Sequence, residues 1–210
     1  MSGLIDWIFP ENVACFLCGA EAFTDGRGLC KACAARLQSA EEQPCPAGLD
    51  GFFAGALLDE AAERAIHRMK YDDARYLAPF FANLIELPPH WRAEVVVPVP
   101  LHKKKLRRRG YNQSALIARA LAQRLGLPVA ENLLSRVRDT DSQTRLHAAE
   151  RAQNVADAFA ASKEAVGRRI LLVDDVCTTG ATLCACAAAL RRAGAKEVYA
   201  ATALARALQI

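Results

Sequence analysis

"ILLVDDVCTTGATL" (Ile170 to Leu183) sets two adjacent carboxylates, Asp174 and Asp175, between four aliphatic residues and a run of small and hydroxyl-bearing ones. An aliphatic run of this kind suits a strand buried on both faces. Open α/β sheets bind ligands at the carboxyl ends of such strands. The carboxylates can accept hydrogen bonds from hydroxyls or hold a metal. Beyond them, Thr178, Thr179 and Thr182 offer hydroxyl donors, Cys177 and Ala181 are small, and Gly180 lets the backbone turn close to a ligand. The N–H groups that start the following helix favour an anion. A vicinal diol on the aspartates with a phosphate in the loop describes a sugar phosphate. The plainer alternative, an acidic turn that caps the helix, accounts for one aspartate better than for two. The stretch is neither a Walker A loop nor a dinucleotide GxGxxG.

A second strand ends in charge of the opposite sign. "VVVPVPLHKKKLRRRGYNQS" follows its aliphatic run with Lys103, Lys104, Lys105, Arg107, Arg108 and Arg109. A cationic run can be a solvated face or a general polyanion contact. Placed at a strand's carboxyl end, it shares a rim with Asp174 and can face an anionic ligand there. Arg109 followed by Gly110 suits that best, because glycine permits close backbone approach. The lysines face solvent in this reading and could meet nucleic acid electrostatically. A third polar stretch holds Arg136, Arg138, Thr140, Gln143, Arg145 and Arg151, and reads either as a binding loop or as an exposed connector.

Of eight cysteines, five lie between positions 15 and 45 and three between 177 and 186. Cys15-x2-Cys18 and Cys30-x2-Cys33 form two knuckles separated by eleven residues, a little below the spacing common in four-cysteine sites. The paired pattern matches a tetrahedral structural Zn²⁺ site, with free buried thiols as the alternative. Cys45 has no second cysteine beside it and reads as a spare thiol. Cys184 and Cys186 face different ways on a helix and read as small core residues. No His spacing suggests a metal site or a triad.

These groups need elements to hold them. The 210 residues suit a small metal-stapled module over 1–50, linker included, and an α/β domain over 51–210. The first 50 residues hold three Lys or Arg against seven Asp or Glu, and the remainder 24 against 16, so the larger part favours anionic ligands. The sequence predicts helices over Glu60–Tyr71, Ala74–Leu87, Asn112–Leu125 and Thr182–Gly194. Strands are expected at Ala93–Leu101, within 127–137, at Arg168–Val176 and at Lys196–Ala205, with a helical composition over 148–159. The basic stretch after Leu101 is expected to be a loop. Strand and helix alternate, which predicts a mostly parallel sheet flanked by helices. No apolar run approaches the ~18 residues that span a bilayer, and the N-terminal stretch lacks the basic n-region of a signal peptide. A cytoplasmic protein with no membrane insertion is expected.

"ILLVDDVCTTGAT" resembles the PRPP (phosphoribosyl pyrophosphate) binding motif of type I phosphoribosyltransferases. Together with "MKYDDARYLA", "PVPLHKKKLRRRGYNQS" and "RVRDTDSQTRLHAAERAQNV", in this order behind a cysteine module, it resembles the ComF family. These are double zinc ribbon and phosphoribosyltransferase-like proteins of bacterial competence. The resemblance implies a type I phosphoribosyltransferase fold behind a four-cysteine zinc ribbon, PRPP bound with Mg²⁺, and a place in nucleotide metabolism. It implies that Asp174 and Asp175 bind the ribose hydroxyls and that Cys177 to Thr182 cradle the 5′-phosphate. Arg109, Gly110, Asn112 and Gln113 would lie on the pyrophosphate side, and Thr140, Gln143, Leu146, Arg151 and Asn154 in a mobile loop. It also implies handling of single-stranded DNA in natural transformation, with a helicase-like late competence protein as partner. Transferase, PRPP sensor and DNA adaptor all remain compatible with these residues, and neither the acceptor nor the oligomeric state is legible.

Overall fold

Ile170, Leu171, Leu172 and Val173 are completely buried, because the strand that carries them lies in a sheet covered on both faces. The computed structural model describes residues 14–40, 43–138 and 158–207. Its elements are α1 (Lys31–Arg36), β1 (Gly51–Leu57), α2 (Glu60–Tyr71), a 3₁₀ turn (Arg75–Leu77) running into α3 (Ala78–Asn83), and β2 (Val95–Pro98). Next come α4 (Lys103–Arg109), α5 (Gln113–Leu125), β3 (Leu134–Arg136), β4 (Phe159–Ala161), a 3₁₀ turn (Lys163–Ala165), β5 (Arg169–Cys177), α6 (Ala181–Arg192) and β6 (Glu197–Ala205). The main sheet has the order β1-β6-β5-β2, with all its pairings parallel. β3 and β4 form a separate antiparallel pair.

Alternate residues of β5 feed two cores, as the period of a strand dictates. Leu171 and Val173 pack with Met69, Phe81, Ile117 and Leu121 from α2, α3 and α5. Ile170 and Leu172 pack with Leu183, Cys186 and Leu190 of α6 and with Leu134 and Phe159 of the β3–β4 pair. The cysteine module adds Cys15, Leu17, Leu29 and Cys33 to the first of these clusters.

α2 forms over the residues expected of it. Asp59 accepts from the Ala62 N–H at 2.8 Å as N-cap, Glu60 and Glu63 lie in the first turn, and Arg68 and Lys70 in the last. Ala61, Ala62, Ala65, Ile66 and Met69 supply its buried face. Elsewhere the boundaries move for tertiary reasons. The helix expected over Ala74–Leu87 splits into a 3₁₀ turn and a short α3 that stops at Asn83. There Arg124 of α5 donates to the carbonyls of Ala82 and Ile85, capping the chain before the prolines at 88 and 89. The expected strand over Ala93–Leu101 shortens to four residues on the sheet's edge, where Pro98 is tolerated. The basic stretch expected as a loop is a helix instead. Straight-chain Lys and Arg have good helical propensity, and Gly110 closes α4 in the left-handed conformation (φ 82°), its N–H donating to Leu106 O. Ala158 and Phe159, the described end of the stretch helical in composition, lie outside any helix, and Phe159 opens β4.

β1 approaches α3 so closely that a Cβ on Gly55 would lie 2.4 Å from Leu84 O and 2.7 Å from Leu84 Cβ. Gly55→Ala must therefore push backbone apart, at about 1–3 kcal/mol. A lower urea midpoint at unchanged m-value is the expected result; an unchanged midpoint would contradict this close packing.

Candidate functional site

β5 outruns its neighbour. Pro98, the last residue of β2, pairs with Val173, whereas β5 continues against β6 to Cys177. From Asp174 onward one edge of β5 has no strand beside it, and there the two aspartates lie.

Each carboxylate has a different partner. Asp174 Oδ1 accepts from Ser114 Oγ at 2.7 Å and from the Asp175 N–H at 2.9 Å. Ser114 is held at the start of α5 by Asn112, whose side chain accepts from the Ser114 N–H at 3.1 Å and donates to Val99 O at 2.9 Å. Asp175, 4% exposed, meets Lys70 of α2, with Nζ 2.6 Å from Oδ2. Burial first, and then the neighbouring Asp175 charge, push the Asp174 carboxyl up to about 7. Burial and the Asp174 charge likewise raise the Cys177 thiol to about 11, so it serves as a small neutral lining group.

Beyond β5 the chain turns through a short loop into α6. Thr178 and Thr179 are exposed, Gly180 adopts φ 75° at the N-cap of α6, and the Ala181 N–H donates weakly to Thr179 Oγ1 at 3.4 Å. Thr182 is half-buried one residue on. A wall of this loop comes from the linker: a Cβ on Gly180 would come within 2.9 Å of Pro46. Pro44, Cys45 and Pro46 line a cavity of about 240 Å³ together with Cys177, Thr178, Thr179 and Gly180.

The residues expected on the pyrophosphate side lie nearby. Arg109 stacks 5.2 Å over the Tyr71 ring and donates to the side chain of buried Gln113. A Cβ on Gly110 would meet open space. Asn112 is engaged as the α5 cap, so it supports Asp174 through Ser114. A cavity of about 480 Å³ is lined by Lys70, Tyr71, Asp73, Arg75, Arg108, Arg109 and Tyr111. Arg75 stacks 4.4 Å over Tyr111, whose hydroxyl donates to Met69 O. A second cavity of about 340 Å³ joins Lys70, Tyr71 and His67 to Asp175, Thr178 and Arg206. Thr140, Gln143, Leu146, Arg151 and Asn154 fall outside the described residues.

Lys70, Arg75, Ser114 and the two tyrosines were not singled out from the sequence. The available signals were slight: Lys70 and Tyr71 precede a doubled aspartate, and Ser114 follows the Asn112 cap by two residues.

In the cysteine module the four sulfurs of Cys15, Cys18, Cys30 and Cys33 lie within 4.8 Å of one another. Burial raises the Cys15 thiol, but the N–H groups of Cys30, Cys18 and Leu17 outweigh it and bring it to about 7. Burial and the neighbouring thiols push Cys33 up to about 12. Four sulfurs this close together form a donor set that suits structural Zn²⁺. Cys45 is exposed, and Cys186 is buried among the apolar residues under α6.

The raised Asp174 carboxyl has a consequence for stability. Between about pH 4, where an unfolded aspartate loses its proton, and about pH 7, where the folded one does, the folded chain binds more protons. Stability therefore falls as pH rises through that window. Asp174→Asn should gain on the wild type steadily from pH 4 to 7 and level off above, read as the difference in urea midpoints. A constant difference would refute the raised carboxyl.

Residues 112–209 match the phosphoribosyl transferase domain and residues 4–48 the double zinc ribbon domain. Competence protein F of Haemophilus influenzae is 44% identical over 108 residues, 50% of this chain and 47% of that protein, so the chain matches about half of that relative's length. The DNA utilization protein YhgH of Salmonella typhi is 29% identical over 88% of this chain and 93% of its own. Competence protein ComFC of Streptococcus pneumoniae is 31% identical over 67% of this chain and 61% of its own. Among solved structures, the glutamine PRPP amidotransferase from B. subtilis, complexed with ADP and GMP, aligns over 61% of this chain and 25% of that one, at 24% identity and TM-score 0.41. A double zinc ribbon match followed by a phosphoribosyl transferase match, with relatives among competence and DNA utilization proteins, is what the ComF resemblance leads one to expect.

Proposed function

We propose that this protein binds PRPP with Mg²⁺ at the exposed end of β5 and supports the handling of DNA taken up by the cell. The observation that carries the ligand is the juxtaposition of three chemistries. Asp174 and Asp175 stand where β2 has ended, beside a Thr/Gly loop at a helix start and a cavity rich in guanidinium groups. Asp174 and Asp175 would accept the ribose hydroxyls, Thr178 to Thr182 the 5′-phosphate, and Arg109 with Arg75 and Arg108 the pyrophosphate. Mg²⁺ bound together with PRPP would neutralise charge on the leaving group. In a transfer reaction the C1–O bond to pyrophosphate breaks as a bond to the acceptor forms, and pyrophosphate leaves. Asp174 can accept a hydroxyl whether or not its raised carboxyl carries a proton.

We place the domain boundary at about residue 50 and the protein in the cytoplasm, where a reducing medium keeps Cys15, Cys18, Cys30 and Cys33 available to zinc. Among the described residues no helix is long and apolar enough to cross a membrane.

The DNA role rests on α4, which carries six cations and has no buried residue, and on relatives named for competence and DNA utilization. A helicase-like late competence protein is the partner this resemblance suggests.

PRPP with Mg²⁺ at 100 times its Kd should stabilise the protein by about 2.7 kcal/mol, or about 2–4 °C per kcal/mol for a chain of this size. Asp174→Asn with Asp175→Asn should abolish that shift. Wild type that shows no shift would sink the PRPP reading. Pyrophosphate release across a panel of bases and amines then separates a transferase from a sensor. For DNA, single-strand affinity should fall steeply with salt. Replacing Lys103, Lys104 and Lys105 by Ala should lower the slope of log K against log salt by about 0.7 per lost phosphate contact. A slope near zero in the wild type would rule out this contact.

A further inference from the structure

The last turn of α2 places a lysine between two cavities, one lined by three guanidinium groups and one that reaches Asp175. Lys70 borders the cavity of about 480 Å³ that holds Arg75, Arg108 and Arg109, and also the one of about 340 Å³ that holds Asp175 and Thr178. Its ammonium contacts Asp175 at 2.6 Å, with the lysine side chain 25% exposed and the aspartate side chain 6%. Asp175 Oδ2 has no hydrogen-bond donor among the described residues apart from this ammonium, so Lys70 balances a buried charge that a ribose diol would need to reach.

The neighbouring guanidiniums are held differently. Arg109 is stacked on Tyr71 and bonded to Gln113, and Arg75 is stacked on Tyr111 and paired with Asp73 at 2.6 Å. A lysine ammonium on a four-carbon stem has no such fixed geometry and can turn between partners. We propose that Lys70 exchanges partners: it neutralises Asp175 in the empty site and turns to the pyrophosphate of the bound ligand once the ribose hydroxyls take over Asp175. This assignment rests on the PRPP reading above and adds to it a pyrophosphate-binding residue contributed by α2.

The exchange makes ligands behave differently according to whether they carry the ribose hydroxyls, the pyrophosphate or both. Lys70→Met removes both a competitor for Asp175 and a charged donor to pyrophosphate. Titration calorimetry with wild type, Lys70→Met and Lys70→Arg, each shown to unfold cooperatively, tests this with three ligands: PRPP with Mg²⁺, pyrophosphate with Mg²⁺, and ribose 5-phosphate. In Lys70→Met, PRPP should weaken by about ten- to a hundredfold, as expected for a lost charged hydrogen bond, whereas pyrophosphate alone, which brings no hydroxyls to release Lys70 from Asp175, should weaken far less. Ribose 5-phosphate should bind as well as before or more tightly, and Lys70→Arg should recover part of the PRPP affinity. Equal weakening of PRPP and ribose 5-phosphate would mean a static structural pair and would overturn the exchange; so would unchanged PRPP affinity. Competitive acylation of Lys70 in the wild type gives a reading free of folding effects. Its labelling should rise with ribose 5-phosphate and fall with PRPP, whereas protection by both ligands would refute the exchange. Wild type that binds ribose 5-phosphate and pyrophosphate but shows no change in Lys70 labelling retains the ligand reading and rejects this one. Wild type that binds none of the three rejects both.

Discussion

The difference in length between β2 and β5 organises this molecule. A central parallel strand covered by helices on both faces must be apolar along its paired length, because each residue points into one core or the other. β2 stops at Pro98, a residue without an N–H to donate, and its last pairing is with Val173. One residue later β5 turns from aliphatic to acidic. Charge is tolerated there because the strand has lost one neighbour and the first turn of α5 supplies a hydroxyl to Asp174. Moving the aspartates one pair deeper would bury carboxylates between two layers of apolar side chains, at a cost no partner in that core could offset.

The second organising element is the end of α2. Arg68 donates to the carbonyls of Phe16 and Leu17 in the first cysteine knuckle, at 2.5 and 3.0 Å. Met69 is fully buried and its carbonyl receives the Tyr111 hydroxyl, Lys70 pairs with Asp175, and Tyr71 lies under Arg109. Four consecutive residues thus touch the metal module, the chain that leads into α5, the acidic strand end and the cationic cavity. Helical geometry explains how one turn can do so, since successive side chains point about 100° apart around the axis. The metal module shares its core with this helix, so folding the cysteine knuckles and positioning Lys70 draw on the same contacts.

Much of the architecture is legible in the residues because it depends on local pattern. The span of α2 follows from its Asp59 cap and its apolar spacing, and that of α5 from the Asn112 cap and Gly126. The burial of Ile170 to Val173 follows from an unbroken aliphatic run. The failures have physical causes too. α4 has no apolar period to reveal it, and its cations form a helix through side-chain propensity and a glycine stop. At the early end of α3, Arg124, far along the chain, donates to Ala82 O within the helix and to Ile85 O just beyond it. Ser114 escaped notice because its contact with Asp174 is set by the Asn112 cap at the start of α5, not by a local pattern.

By itself, then, the sequence determined the classes of chemistry: paired carboxylates at a strand end, a small-residue loop at a helix start, a cationic stretch and four paired thiols. Each is a short contiguous pattern whose chemistry follows from residue type and spacing. Tertiary structure alone decided which carboxylate meets which partner. Ser114 and Asp174 are 60 residues apart in sequence, and Lys70 reaches Asp175 from a helix that precedes most of the sheet in chain order. An isolated lysine or serine in a helix carries no mark of the carboxylate it will face, because that pairing is set by how helices pack across the sheet and where β2 ends.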